Sequence, residues 1–143
     1  KAIGKKPEGV PWIAHVRAFD LNQDGLMDAI GCEAKHDEVV WLRQEENGQF
    51  TEIVLASNMQ APVHAEVYDL DDDGDLEILA PAMDQNLYVW HEDGTSYGPY
   101  PVKVGSDPEQ GARIIASIAV GDADGDGKVN FADILSVLTN WGP

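Results

Sequence analysis

Tyr68-Asp-Leu-Asp-Asp-Asp-Gly-Asp-Leu-Glu-Ile78 holds six acidic residues in a stretch of eleven. Asp69, Asp71 and Asp73 stand at alternate positions, and Gly74 follows directly after them. A calcium ion takes about six to eight oxygen ligands, and a glycine here allows the sharp turn that wraps a short segment around the ion. The stretch therefore predicts a calcium-binding loop. Its predicted ligands are Asp69, Asp71, Asp73, the backbone carbonyl of Asp75, and Glu77.

The pattern D-x-[DN]-x-D-G occurs three times in the chain, which makes chance clustering of acidic residues a poor explanation. We call the three segments loop one (20–28), loop two (69–77) and loop three (122–133). The predicted ligands of loop one are Asp20, Asn22, Asp24, the carbonyl of Leu26, and Asp28. In loop three the same spacing selects Asp122, Asp124, Asp126 and Asn130.

The composition favours cations as partners. The chain has 143 residues, and 26 acidic against 9 basic residues give a formal charge of -17. This charge argues against nucleic acid or an anionic membrane surface as a partner. Calcium in all three loops would bring the charge from -17 to -11, so we expect folding and metal binding to be coupled. The sequence has no apolar run long enough to predict a membrane span.

Two similar units follow one another along the chain. Asp20 and Asp69 are 49 residues apart, and Trp41 and Trp90 each lie 21 residues beyond the first aspartate of their loop. Alternating apolar segments around both loops predict about four short strands per unit, the size of a propeller blade. We therefore predict a mainly β fold of antiparallel, propeller-blade-like sheets. The predicted divisions are a tail at 1–9, blade-like repeats at 10–58 and 59–113, and a third calcium loop with a C-terminal helix at 114–143.

Both units resemble the FG-GAP or VCBS repeats of extracellular calcium-binding β-propellers. Loop, tryptophan and glycine turn follow in the same order in each unit. Unit one carries them as Asp20-Leu-Asn-Gln-Asp-Gly-Leu-Met-Asp28, Val40-Trp41 and Asn47-Gly48-Gln49-Phe50; unit two as Asp69-Leu-Asp-Asp-Asp-Gly-Asp-Leu-Glu77, Val89-Trp90 and Asp93-Gly94. The resemblance implies an ion in the loop between the first two strands of each blade, and a secreted, periplasmic or cell-surface protein.

The end of the chain, from Asp122 to Trp141, is similar to one dockerin-type half EF-hand. The similarity implies a docking helix after the loop, consistent with an apolar stripe that includes Phe131, Ile134 and Leu138. A dockerin has two such loops and this chain shows one, so cohesin binding is not implied. The implied ligands are Asp122, Asp124, Asp126, the carbonyl of Lys128, Asn130 and Asp133.

The sequence shows no convergent catalytic set, and its acidic residues are accounted for as metal ligands. We predict a non-enzymatic extracellular structural module that binds up to three calcium ions. Two blades cannot close a ring, so other copies of the chain or a larger complex are the expected partners in assembly or attachment. One alternative is the C-terminal part or an accessory subunit of a larger surface enzyme, such as a polysaccharide lyase. Another is a carbohydrate-binding module with exposed tryptophans that stack on a glycan.

Overall fold

The computed structural model describes residues 12–103, 120–123, 125–129 and 133. These residues form two four-stranded antiparallel sheets, each made of strands consecutive in sequence. Sheet one contains β1 (Ile13–Phe19), β2 (Asp28–Glu33), β3 (Glu38–Gln44) and β4 (Phe50–Ala56). Sheet two contains β5 (Glu66–Tyr68), β6 (Glu77–Pro81), β7 (Asn86–Trp90) and β8 (Val102–Lys103). The predicted mainly β, antiparallel fold class is confirmed.

Glycine turns join the last two strands of sheet one and end β7 in sheet two. Gly48 and Gly94 have left-handed φ angles of 71° and 84°. Each donates its backbone N–H to the carbonyl oxygen three residues earlier, at 2.8 and 2.9 Å. The sequence predicts both turns, but it does not predict β8, which has only two residues.

The predicted C-terminal helix lies outside the described residues except for Asp133, whose backbone is helical. That helix therefore stays a prediction. Within the described segments, no helix is long and apolar enough to cross a membrane.

A shared apolar core holds the two sheets together. Ile30 and Trp41 of sheet one and Ile78 and Trp90 of sheet two are all at most 4% exposed in this core. Burial of side chains of this size stabilises a fold by about 1.5–3 kcal/mol each. The position of the core between the sheets is the arrangement expected of neighbouring blades.

Polar contacts join the first strand of each sheet. The guanidinium of Arg17 forms an ion pair with Glu66. The rings of His15 and His64 lie 4.1 Å apart, and His64 is also hydrogen-bonded to Glu66 at 2.8 Å. Burial, together with the neighbouring His64 and Arg17, lowers the pKa of His15. These contacts give the two histidines a structural role between the sheets.

The two sheets differ by one residue in the pairing of their second and third strands. Trp41 lies opposite Ile30, which is two residues beyond the end of loop one. In sheet two the residue at the corresponding position, Leu79, lies opposite Val89. Trp90 lies opposite Ile78, one residue closer to the loop. Because a shift of one residue turns every side chain to the other face, the two tryptophans enter the same core from neighbouring sheets. Equal sequence spacing from the loops therefore does not make them structurally equivalent.

The outer faces of the two sheets are covered differently. Sheet two buries its second face in a separate cluster that contains Leu79, Val89 and Tyr100, and Val120 at the start of the third unit packs against it. Sheet one carries an apolar row across all four strands, formed by Val16, Gly31, Val40 and Val54. Val16 is 58% exposed and Val54 is 43% exposed. The outer face of sheet one is thus open within the described structure.

Candidate metal centre

All three loops have the same backbone conformation at two positions. The fourth residue is left-handed in each loop, with φ of 55° at Gln23, 60° at Asp72 and 79° at Gly125. The sixth residue is a left-handed glycine in each loop, with φ of 84° at Gly25, 96° at Gly74 and 86° at Gly127. The φ angles of 84–96° at the sixth position lie outside the narrow left-handed region that Gln23 and Asp72 adopt, so the turn favours a glycine there.

The loops also share two side-chain hydrogen bonds. The first aspartate accepts the N–H of the sixth residue in Asp20–Gly25, Asp69–Gly74 and Asp122–Gly127, at 2.9, 3.1 and 2.9 Å. The fifth residue accepts the N–H of the seventh in Asp24–Leu26, Asp73–Asp75 and Asp126–Lys128, at 2.8, 2.9 and 2.9 Å. Each loop is therefore folded by its own carboxylates, and the repeated spacing gives a repeated structure.

Loop two brings three carboxylates together. Asp69, Asp71 and Glu77 each place one oxygen within 4.8 Å of the others. Two oxygens, Asp69 Oδ1 and Glu77 Oε1, are buried and have no hydrogen-bond partner among the described residues. A buried polar atom without a partner destabilises a fold by about 1–3 kcal/mol, and by more when it carries charge. The three carboxylates fit a calcium ion, which takes oxygen ligands and would satisfy buried oxygens of this kind.

The electrostatics of loop two centre on Glu77, which is completely buried. The pKa of Glu77 is raised to about 7, chiefly by burial and also by the charges of Asp71 and Asp73, against the lowering effect of the Leu70 N–H and His91. The Leu70 N–H donates to Glu77 Oε2 at 2.7 Å. Glu77 thus has one oxygen held by the backbone and one oxygen open to a ligand.

Tyr97 supports Asp71 from outside the loop. Its hydroxyl donates to Asp71 Oδ2 at 3.1 Å. Burial and the contact with Asp71 raise the pKa of Tyr97 to about 12, so the hydroxyl keeps its proton and remains a donor near neutral pH.

Loop one differs from loop two at its last predicted ligand. Asp28 turns its carboxylate towards β3, where it accepts hydrogen bonds from Trp41 Nε1 at 3.0 Å and from the N–H of Gln44 at 2.7 Å. Among the described residues, Asp28 does not cluster with the other acidic side chains of its loop as Glu77 does. Both oxygens of Asp20 accept backbone N–H groups, whereas the buried Asn22 Oδ1 has no hydrogen-bond partner within the described ranges. The assignment of Asp28 as a ligand stays a prediction.

Loop three is described in part. Asp124 and Asn130 lie outside the described residues, as do the residues around Asp133. Asp133 is buried and accepts the N–H of Ala123 at 2.6 Å, much as Glu77 accepts the N–H of the second residue in loop two. This contact places the carboxylate of Asp133, the last implied ligand of loop three, against the start of its loop.

Two features of this region are not evident from sequence. Loops one and two touch, because Gln23 Nε2 donates to the carbonyl oxygen of Gly74 at 2.6 Å. His91 Nδ1 lies 3.9 Å from Glu77 Oε1, with Glu92 close by. The sequence places His91 in a turn and gives it no partner, because the contact depends on the pairing of β6 with β7.

The FG-GAP-like repeat family matches residues 20–80 and 69–135 of the chain. The two matched segments together include all three loops. No curated protein and no solved structure shows a significant match.

Proposed function

The chain belongs to the FG-GAP-like repeat family, and we propose that it is a non-enzymatic structural module that binds calcium and mediates assembly or attachment outside the cell. FG-GAP-like repeats are generally structural and are typical of extracellular or surface proteins. The observation that carries the calcium proposal is a pair of buried oxygens in loop two, on Asp69 and Glu77, that have no hydrogen-bond partner in the described part of the chain.

Calcium fits this site better than magnesium. The side-chain ligands offered by the three loops are oxygens, mostly carboxylates, which hard cations prefer. Magnesium demands compact octahedral geometry and gives up its waters reluctantly, whereas calcium tolerates the variable geometry of a flexible loop. The backbone carbonyls of Leu26, Asp75 and Lys128 would add one ligand in each loop.

We expect the loops to differ in affinity. Loop two offers a buried carboxylate oxygen from Glu77, whereas in loop one the carboxylate of Asp28 is hydrogen-bonded to Trp41 and Gln44. The Gln23–Gly74 contact joins the two loops, so an ion in loop two also orders the neighbouring edge of loop one.

The assembly role is supported by the open face of sheet one. One face of sheet two packs on sheet one and the other packs against Val120, whereas Val16 and Val54 remain exposed on sheet one. In a blade-like architecture such a face is covered by a further blade, here one from a second copy or from a larger complex. Bound calcium also reduces the negative charge that keeps chains apart.

We predict calcium-dependent self-association through this face. Light scattering across protein concentrations should show larger species in calcium than in chelator. Val16→Lys and Val54→Lys should each reduce association, because a charge would be buried in the contact. Thr51→Lys is the matched control, since it adds the same charge at an exposed position of β4. A monodisperse monomer in calcium at every concentration would contradict self-association.

A further inference from the structure

A second cluster of metal-ligating side chains lies beside loop two. Glu77, His91 and Glu92 each place one ligand atom within 4.8 Å of the others. Glu77 is buried, and His91 and Glu92 are half-buried. The set combines one imidazole nitrogen with two carboxylates, and it differs from the predicted calcium ligands by its nitrogen.

The buried oxygen of Glu77 points to a ligand at this cluster. The Glu77 side chain is 1% exposed, and its Oε1 has no hydrogen-bond partner within the described part of the chain. His91 Nδ1 is 3.9 Å from that oxygen, which is too far for a hydrogen bond. Two metal–ligand bonds of about 2.0–2.2 Å would reach across this gap with an ion between the two atoms.

The mixed donor set selects the class of ion. Imidazole suits zinc and related first-row transition ions, whereas calcium takes oxygen ligands. Tyr97 orients the site from one side, because its ring lies 4.7 Å from the ring of His91 and its hydroxyl is bonded to Asp71. The cluster and the calcium loop are therefore neighbours that meet at Glu77.

Sheet one provides an internal comparison. When the strands are matched by their pairing, Arg43 and Gln44 occupy the positions of His91 and Glu92. Arg43 is a cation and forms an ion pair with Glu45 at 3.1 Å. Sheet one therefore lacks the donors that sheet two presents.

We infer that Glu77, His91 and Glu92 form a transition-metal site of zinc type that shares the Glu77 carboxylate with loop two. Oε2 of Glu77 is already held by the N–H of Leu70, which leaves one oxygen for a metal ion. Zinc and calcium therefore exclude one another at Glu77. The zinc site itself does not depend on calcium binding, whereas this exclusion rests on the function proposed above.

The test is a zinc titration of the full chain after chelator treatment, followed by calorimetry and by NMR of the histidine side chains. We expect zinc binding that shifts the imidazole nitrogens of His91. His91→Gln should weaken this binding at least tenfold. His36→Gln is the matched control, because His36 also pairs with a glutamate, Glu33, and should leave the affinity unchanged. Zinc binding that survives His91→Gln, or that shifts only other histidines, would overturn the site and leave the His91–Glu77 contact as an ion pair.

Repeating the titration in saturating calcium tests the shared carboxylate. Calcium should raise the apparent Kd for zinc, and by linkage zinc should raise the apparent Kd for calcium by the same factor. Asp71→Asn should weaken calcium binding in loop two and leave zinc binding in place, which separates the two sites. If calcium binds loop two by calorimetry and the zinc affinity does not change, the claim of a shared carboxylate is wrong.

Discussion

Removal of calcium is expected to lower the free energy of unfolding by about 4 kcal/mol when free calcium is 1,000 times its Kd. The reason is that calcium binds the folded loops, where oxygens of Asp69, Asp71 and Glu77 lie within 4.8 Å of one another, and not the unfolded chain. Without the ion, the same carboxylates repel one another. For a chain of this length the loss corresponds to a fall in Tm of roughly 10 °C or more.

Thermal unfolding followed by circular dichroism, in calcium and in excess chelator, measures this effect. Magnesium at the same concentration is the control, and it should restore only a small part of the lost stability. An unchanged Tm in chelator would mean that the three loops are ordinary acidic turns.

The second large effect is expected from Glu77→Gln, which should change stability in opposite directions with and without calcium. The substitution keeps the side-chain size and an acceptor for the Leu70 N–H, and it removes the charge. In calcium, the affinity of loop two should fall at least tenfold, equivalent to about 1.4 kcal/mol. Calorimetric titration of the variant against the wild type measures this loss.

In chelator the Glu77→Gln variant should be more stable than the wild type. The pKa of Glu77 is raised from 4.5 to about 7, chiefly by burial, so the folded state favours the protonated carboxyl. The contribution of Glu77 to the free energy of unfolding is therefore fully present below pH 4.5 and is lost as the pH rises through 7. The gain from the substitution should therefore be largest at pH 8 and should disappear near pH 4. A variant that is less stable than the wild type in chelator at pH 8 would show that Glu77 is satisfied without a metal ion.

Asp28→Asn in loop one is the matched comparison. Asp28 accepts hydrogen bonds from Trp41 and from the N–H of Gln44, and an asparagine would place an NH₂ group against one of these donors. We expect a loss of about 1–3 kcal/mol both with and without calcium. If Glu77→Gln and Asp28→Asn weakened calcium binding equally, the proposal that loops one and two differ in calcium affinity would be wrong.

The loops could be predicted from sequence because their structure is local. In loop two, Asp69 bonds the N–H of Gly74 and Asp73 bonds the N–H of Asp75, and these bonds span at most five residues. The alternation of D-x-[DN]-x-D-G therefore specifies each turn without help from the rest of the fold. Most of the strands were predicted for a similar reason, since their apolar residues alternate between glycine-containing turns.

The difference between the two sheets could not be predicted, because it depends on strand pairing. Trp41 and Trp90 have equal spacing from their loops, but the pairing of the strands is shifted by one residue in sheet two. Val89 therefore occupies the position in sheet two that Trp41 occupies in sheet one, where its indole N–H donates to Asp28. That shift explains why Asp28 has a tryptophan partner and Glu77 has a buried oxygen without one. It also brings His91 beside Glu77, a contact that no local pattern indicates.

Calorimetric titration of the chelator-treated chain with calcium measures how many of the three loops bind an ion. We expect three calcium ions per chain, with the site that is lost in Asp71→Ala among the tightest. A stoichiometry below two calcium ions per chain would contradict this expectation.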